Sequence, residues 1–273
     1  GDAGDEIFSG YNRYVLTEKY WNKMEKTPYI LRLIMSKGIE KFSPNQINKM
    51  FLATQGLFSV KHQQVNIGEK LHKASIALKA KTSDDLYLSM ISRWQNPEDL
   101  VLGVGQQDTV VENLTYPEED NIIHKMMETD MVTYLPDDIL CKVDRASMFV
   151  GLESRAPFLD DKVVEFAWSL PFEYKIKNGV GKSILRDVLY RHIPKSLVDR
   201  PKMGFGVPIS DWLRGPLKGW ASDLLDENRL NKEGFFNAKL IQEKWLEHQH
   251  GVHNWQYQLW PVLMFQLWLE NEK

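Results

Sequence analysis

Asp160-Asp161-Lys162-Val163-Val164-Glu165-Phe166-Ala167-Trp168-Ser169-Leu170-Pro171 is the stretch from which the fold class is read. Two carboxylates open it, where a helix N-terminus favours negative charge. Val163, Phe166, Ala167 and Leu170 then recur at the spacing of one helical face, and Pro171 ends the run. The same spacing joins Leu71, Ala74, Ser75 and Leu78, then Tyr87, Met90, Ile91 and Trp94, then Leu185, Val188, Leu189 and His192. Helix starts are marked at Thr82-Ser83-Asp84-Asp85, by capping hydroxyls, and at Pro136-Asp137-Asp138, by a proline and two acids in a first turn. The chain is therefore expected to be mainly α.

Strand signals are sparse. The best is the alternating Phe172-Glu173-Tyr174-Lys175-Ile176, closed by Asn178-Gly179, which predicts one strand of a small ribbon. The stretches 96–120 and 200–219 are irregular; the second is too rich in glycine and proline for one continuous helix and reads as a long ordered or functional loop. Leu259 to Leu269 is apolar but interrupted by Gln266, and at about half the roughly 20 residues a bilayer requires it predicts a buried helix.

Composition narrows the function classes. Of 273 residues, 43% are hydrophobic, enough for one large core or two small ones without covalent staples. Lys plus Arg number 34 against 37 Asp plus Glu, a net charge of −3 with no basic block, so neither nucleic-acid binding nor a membrane surface has electrostatic support. The single Cys141 excludes an internal disulfide and thiolate zinc clusters. It fits a reducing compartment, hence a cytoplasmic expectation, and its neighbours Ile139, Leu140 and Val143 predict a buried structural thiol. The N-terminus has no initiator Met and no signal-peptide pattern, and Gly1 opens in mid-motif; the chain is expected to be a piece of something longer.

Gly1-Asp2-Ala3-Gly4-Asp5-Glu6 admits two readings. Asp2 and Asp5, three apart between glycines, suit a hard cation such as Mg²⁺ that takes one or two protein carboxylates. Equally, they suit the acidic first turn of a helix running through Tyr14. Gly179-Val180-Gly181-Lys182-Ser183 is not a P-loop, because Ile176 stands where G-x-x-x-x-G-K-[ST] requires glycine. Lys182 still begins a helix expected to reach about His192, where it faces either an anion or solvent. From Leu135 to Asp160, charged Asp137, Asp138, Lys142, Asp144, Arg145, Glu153 and Arg155 interleave with apolar residues. An internal ion-pair network tying a helix to the loop Ser154-Arg155-Ala156-Pro157 is expected there. His248, His250 and His253 lack any zincin spacing and read as a solvated turn before the last helix.

Four segments in this order resemble one family. They are Gly1 to Tyr11, Leu135-Pro136-Asp137-Asp138 through Asp144-Arg145-Ala146-Ser147-Met148, Glu153-Ser154-Arg155-Ala156-Pro157-Phe158-Leu159-Asp160, and Gly181-Lys182 with Leu185-Arg186. Arg200 to Pro208 and Leu259-Trp260 to Trp268-Leu269 extend the match over essentially all of residues 1–273. The chain resembles the C-terminal portion of the synthetase domain of glutamine-dependent asparagine synthetases.

That resemblance implies an adenine-nucleotide α-hydrolase-like (PP-loop ATP pyrophosphatase) α/β domain whose parallel sheet lies mostly upstream of residue 1. It implies ATP and Mg²⁺ as cofactors, and aspartate and glutamine-derived ammonia as partners. The aspartate carboxylate is adenylated, then amidated. By motif, Asp5 takes the metal, Asp2 stands near the reacting intermediate, Lys182 contacts phosphate, and Ser154, Arg155 and Ala156 lie by the ammonia path. Asp2 departs from the Gly or Glu of many relatives. The family's S-G-G-x-D-S loop is absent from the sequence, as is its N-terminal glutaminase domain, so the chain alone is expected to be inert. A homodimer is left open. Other amide-forming enzymes of this scaffold, acting on polysaccharides, lasso peptides or β-lactam precursors, remain an alternative, as does a non-catalytic helical interaction module.

Overall fold

The structure, a computed structural model, describes residues 1–54, 67–105, 121–199 and 206–272. It is mainly helical, and two compact units divide the chain. The first comprises residues 1–26 and 108–204, the second residues 27–107 and 205–273. Among the described residues no helix is long and apolar enough to cross a membrane.

In the first unit, Asp160 caps the helix Asp161–Ser169 by accepting from the Lys162 N–H at 3.0 Å. Its Ala167 is fully buried beside Ile7 and Phe8, and Val163, Leu170, Ile184 and Leu185 pack around them. Phe166 and Val188, expected on buried faces, are exposed. The helical period says which residues share a face; only packing says whether that face is covered.

Phe172–Lys175 is a turn of helix, not the expected strand. Alternation over four residues also fits one helical turn, in which residues three apart point the same way. Phe172 meets the His124 ring at 5.2 Å, and Lys175 is fully buried with its ammonium 4.7 Å from the Trp168 ring. The ribbon itself begins one residue later. Ile176–Lys177 pairs antiparallel with Val180–Gly181, and Asn178 (φ 53°) and Gly179 (φ 75°) supply the two left-handed residues of the tight turn.

Leu135–Leu140 forms a π-helical turn that runs into the helix Cys141–Met148. Two expectations fail on that helix. It buries none of its residues, so Cys141 is exposed rather than a core thiol. The ion pairs Asp144–Arg145 (4.0 Å) and Glu153–Arg155 (2.7 Å) are local and solvent-exposed, so they do not form an internal network. Interleaved charge tracks a helix periphery as readily as a buried lattice, and sequence spacing does not separate the two.

In the second unit, Thr82 and Asp85 form a reciprocal capping box at the helix Ser83–Ile91. The helix Ile67–Leu78 buries Ser75, whose carbonyl accepts from the Ser36 hydroxyl at 2.8 Å, while Leu71 is exposed. The irregular stretch 200–219 is broken by helices starting at Ile209 and Lys218; residues 200–205 lie outside the described residues. Gln256–Asn271 is the expected last helix. Leu259, Leu263 and Gln266 are fully buried, and Gln266 donates to the Leu224 carbonyl and to Glu233. Of the three histidines, exposed His250 and half-buried His253 do lie in the turn before the last helix, but His248 does not. His248 ends the helix Ala238–Gln249 with no exposed surface, its Nδ1 accepting from the Trp255 N–H at 3.2 Å.

Candidate active site

The acidic start is a reversal rather than the opening of a long helix. Ala3 is left-handed (φ 67°), a four-residue helix Gly4–Ile7 follows, and Ser9 turns the chain again at φ 54° before the helix Asn12–Met24 begins. The expected helix through Tyr14 therefore breaks between Phe8 and Tyr11. A 2.7 Å bond from the Gly10 N–H to the Asp5 carbonyl closes the reversal.

The reversal holds Asp5 against Lys182, whose ammonium lies 2.9 Å from Asp5 Oδ2. Lys182 sits before the helix Ser183–Leu189 in the left-handed region (φ 58°, ψ 33°), and its own N–H donates to the Phe8 carbonyl at 2.9 Å. That helix ends three residues short of His192.

Two glycines permit this approach. A Cβ at Gly10 would stand 2.1 Å from Asp5 Oδ1 and 2.2 Å from Lys182 Cε, and one at Gly181 would stand 1.9 Å from the Ser9 carbonyl oxygen. Asp2 lies half-buried in the same turn.

Of the segment 153–160, Phe158 is the residue that meets the turn. Its ring lies 5.8 Å from that of Phe8 and would be 3.2 Å from a Cβ at Gly4. Ser154 and Arg155 are exposed and Ala156 is half-buried. The structure thus brings Asp5 and Lys182 together, with Asp2 three residues before Asp5 in the same turn, and sets Ser154 and Arg155 on the surface of the same unit.

Behind Asp5 lies a polar cluster that no motif announced. Glu6, 1% exposed, accepts from the Tyr11 hydroxyl at 2.7 Å. Burial raises the Glu6 carboxyl above its ordinary range; the Tyr11 bond opposes this, and the Asp5 and Asp130 charges reinforce it. Burial, then the Glu6 bond and charge, drives the Tyr11 hydroxyl upward as well. Buried Asp130 accepts from Tyr14 and Arg13. Only tertiary pairing joins position 130 to positions 13 and 14, so local sequence carries no sign of it.

Among the described residues, no group of three or more His, Cys, Asp or Glu could hold a metal by itself. Asp5 offers a single carboxylate, paired with the Lys182 ammonium; a divalent cation held there would need its other ligands from phosphate and water.

A family model for asparagine synthase matches residues 1–270. The chain belongs to the asparagine synthase family. It is 26% identical, over 98% of its length, to asparagine synthetase [glutamine-hydrolyzing] 1 of Bacillus subtilis, and spans 39% of that relative. Over 92 residues it is 39% identical to the Gallus gallus asparagine synthetase [glutamine-hydrolyzing], covering 33% of this chain and 16% of that one. Asparagine synthetase [glutamine-hydrolyzing] 3 of Bacillus subtilis is 28% identical over 139 residues, 43% of this chain and 23% of the relative. No solved structure matches.

Proposed function

We propose that the full-length gene product makes an amide from a carboxylate, ATP and ammonia, with aspartate as the acceptor and asparagine as the product. The observation that carries this reading is the Asp5–Lys182 pair at 2.9 Å, set on an acidic glycine turn in a member of the asparagine synthase family. The family's PP-loop α/β fold is part of the same proposal.

A carboxylate is a poor electrophile. Transfer of AMP to it supplies a leaving group, and the site's task is to stabilise charge on the transferring α-phosphorus and on pyrophosphate. Mg²⁺, when bound, contributes Lewis-acid stabilisation of that charge. On this reading Asp5 holds the cation, and the Lys182 ammonium donates to a phosphate oxygen in place of Asp5 Oδ2. Asp2 stands by the reacting carboxyl, and Ser154, Arg155 and Ala156 border the approach of ammonia. Glutamine is the ammonia source that the names of the relatives suggest.

The test is aspartate-dependent exchange of labelled pyrophosphate into ATP by the full-length gene product, followed by detection of asparagine with glutamine as nitrogen donor. Exchange driven by another carboxylate and not by aspartate would transfer the proposal to a different amide-forming reaction; no exchange with any carboxylate would reject it.

A further inference from the structure

A buried polar cluster lies behind the acidic turn. Asp130 has no exposed surface, and its Oδ2 accepts from Arg13 Nη2 and from the Tyr14 hydroxyl, both at 2.5 Å. The Arg13 guanidinium lies 4.2 Å from the centre of the Tyr11 ring and 4.8 Å from that of Tyr134, while Tyr11 and Tyr134 themselves meet edge to face at 5.9 Å. Tyr11 also meets Tyr14 edge to face at 5.6 Å, and its hydroxyl donates to Glu6 Oε1 at 2.7 Å. Glu6 is the immediate neighbour of Asp5.

The contacts form one line, from Asp130 to Arg13 and Tyr14, to Tyr11, to Glu6, and through one peptide bond to Asp5 and its partner Lys182. Apolar side chains of equal volume would hold the same helices without the desolvation cost of a buried carboxylate. What the polar set adds is direction. A carboxylate that accepts two bonds on one oxygen fixes the guanidinium, the guanidinium fixes the Tyr11 ring on its face, and the ring fixes where its hydroxyl points.

We propose that Asp130 and Tyr11 are positioning residues, acting through Arg13 and Glu6 to hold the Asp5 carboxylate in register with Lys182. The catalytic meaning of this relay rests on the function proposed above; its structural content does not. Outer partners of metal-binding carboxylates influence affinity in this way when they fix orientation.

Two variants test it in the full-length gene product. Tyr11→Phe keeps the ring under Arg13 and removes only the bond to Glu6; Asp130→Asn weakens the anchor. The first readout needs no activity. Lys182 is acetylated with a limiting reagent in the absence of ATP, and its rate is compared by mass spectrometry with that of exposed Lys177. Both variants are expected to acetylate Lys182 about threefold faster than wild type, the factor implied by losing a part-exposed ion pair, with Lys177 unchanged. The second readout is the Mg²⁺ dependence of pyrophosphate exchange, whose half-saturating concentration should rise on the order of tenfold.

If Lys182 acetylates at the wild-type rate in Tyr11→Phe, the relay is overturned, whatever happens to the melting temperature. Should Asp130→Asn fail to fold, Tyr11→Phe decides alone. If wild type shows no exchange, the proposed function falls, and the acetylation rates still uphold or overturn the relay.

Discussion

The Lys182 ammonium and the Asp5 carboxylate face each other at 2.9 Å, each about a quarter exposed, across a turn that closes only because Gly10 and Gly181 have no Cβ. Each is the other's counter-ion. On the proposed function, a metal–phosphate ligand would replace one ion pair by two, carboxylate with cation and ammonium with phosphate, so neither charge need be stranded.

Lys182→Gly is expected to separate charge from stability. A non-glycine residue at φ 58°, ψ 33° costs about 1 kcal/mol, which glycine does not pay, and the part-exposed ion pair contributes no more than about that amount. The melting temperature should therefore hold or rise slightly. Pyrophosphate exchange should fall about 100-fold, since one preorganised cation at developing phosphate charge contributes on the order of 3 kcal/mol. Exchange within a few-fold of wild type would remove Lys182 from the site.

Gly10→Ala should damage the same site by crowding. Its Cβ would overlap Asp5 Oδ1 and Lys182 Cε, and would stand 2.9 Å from the Asp5 Cα, which cannot swing away as a side chain can. A stability loss of about 1–3 kcal/mol is expected, with loss of exchange. Gly38→Ala is the control, because nothing lies within 4 Å of its added Cβ. Equal effects of the two substitutions would contradict the crowding argument.

His248 should make stability depend on pH. Burial, with the Arg214 charge beside it, lowers its pKa from 6.5 to about 4 in the folded chain. Above 6.5 both folded and unfolded imidazoles are neutral and the contribution is fully present. As pH falls from 6.5 towards 4 the unfolded chain takes up a proton that the folded chain resists, so stability is lost, by up to about 3 kcal/mol. Urea midpoints measured between pH 7.5 and 4 should fall less steeply in His248→Gln than in wild type. Parallel slopes would show that His248 is not the group responsible.

Cys141 should react in the native state. It lies on a helix with no buried residues, so a thiol reagent should label it fully without denaturant. Labelling of the 273-residue chain that requires urea would restore the buried-thiol reading.

The helices Ile67–Leu78, Ser83–Ile91, Asp161–Ser169, Ser183–Leu189 and Gln256–Asn271 are legible in the sequence, while others, such as Tyr29–Glu40, Ile122–Val132 and Ala238–Gln249, carry no signal singled out there. The cap at Asp160 and the capping box at Thr82 and Asp85 are local bonds between residues two or three apart, and local spacing records them. Phe172–Lys175 reads as a strand in the sequence because four alternating residues satisfy both a strand and a helical turn. Cys141 and the Asp144–Arg145 segment read as buried in the sequence because amphipathic spacing gives a helix its faces without saying which face meets another element. The histidines show the converse: H-x-H-x-x-H spacing is silent on burial, which for His248 comes from the helix that carries it.

The sequence by itself determined the helical class, the tight turn at Asn178-Gly179, the resemblance to asparagine synthetases, and Asp5 and Lys182 as residues of interest. Each follows from contacts within a few residues or from matched motifs. The tertiary structure alone decided that Asp5 and Lys182 are partners, that Phe158 packs against the acidic turn, and that Asp130 accepts from Arg13 and Tyr14. Those pairings join residues far apart in the chain, and their energies depend on burial, which no local pattern encodes: a carboxylate such as Asp130 reads like any surface acid until the helices around it close and put a guanidinium and a tyrosine hydroxyl in place of water.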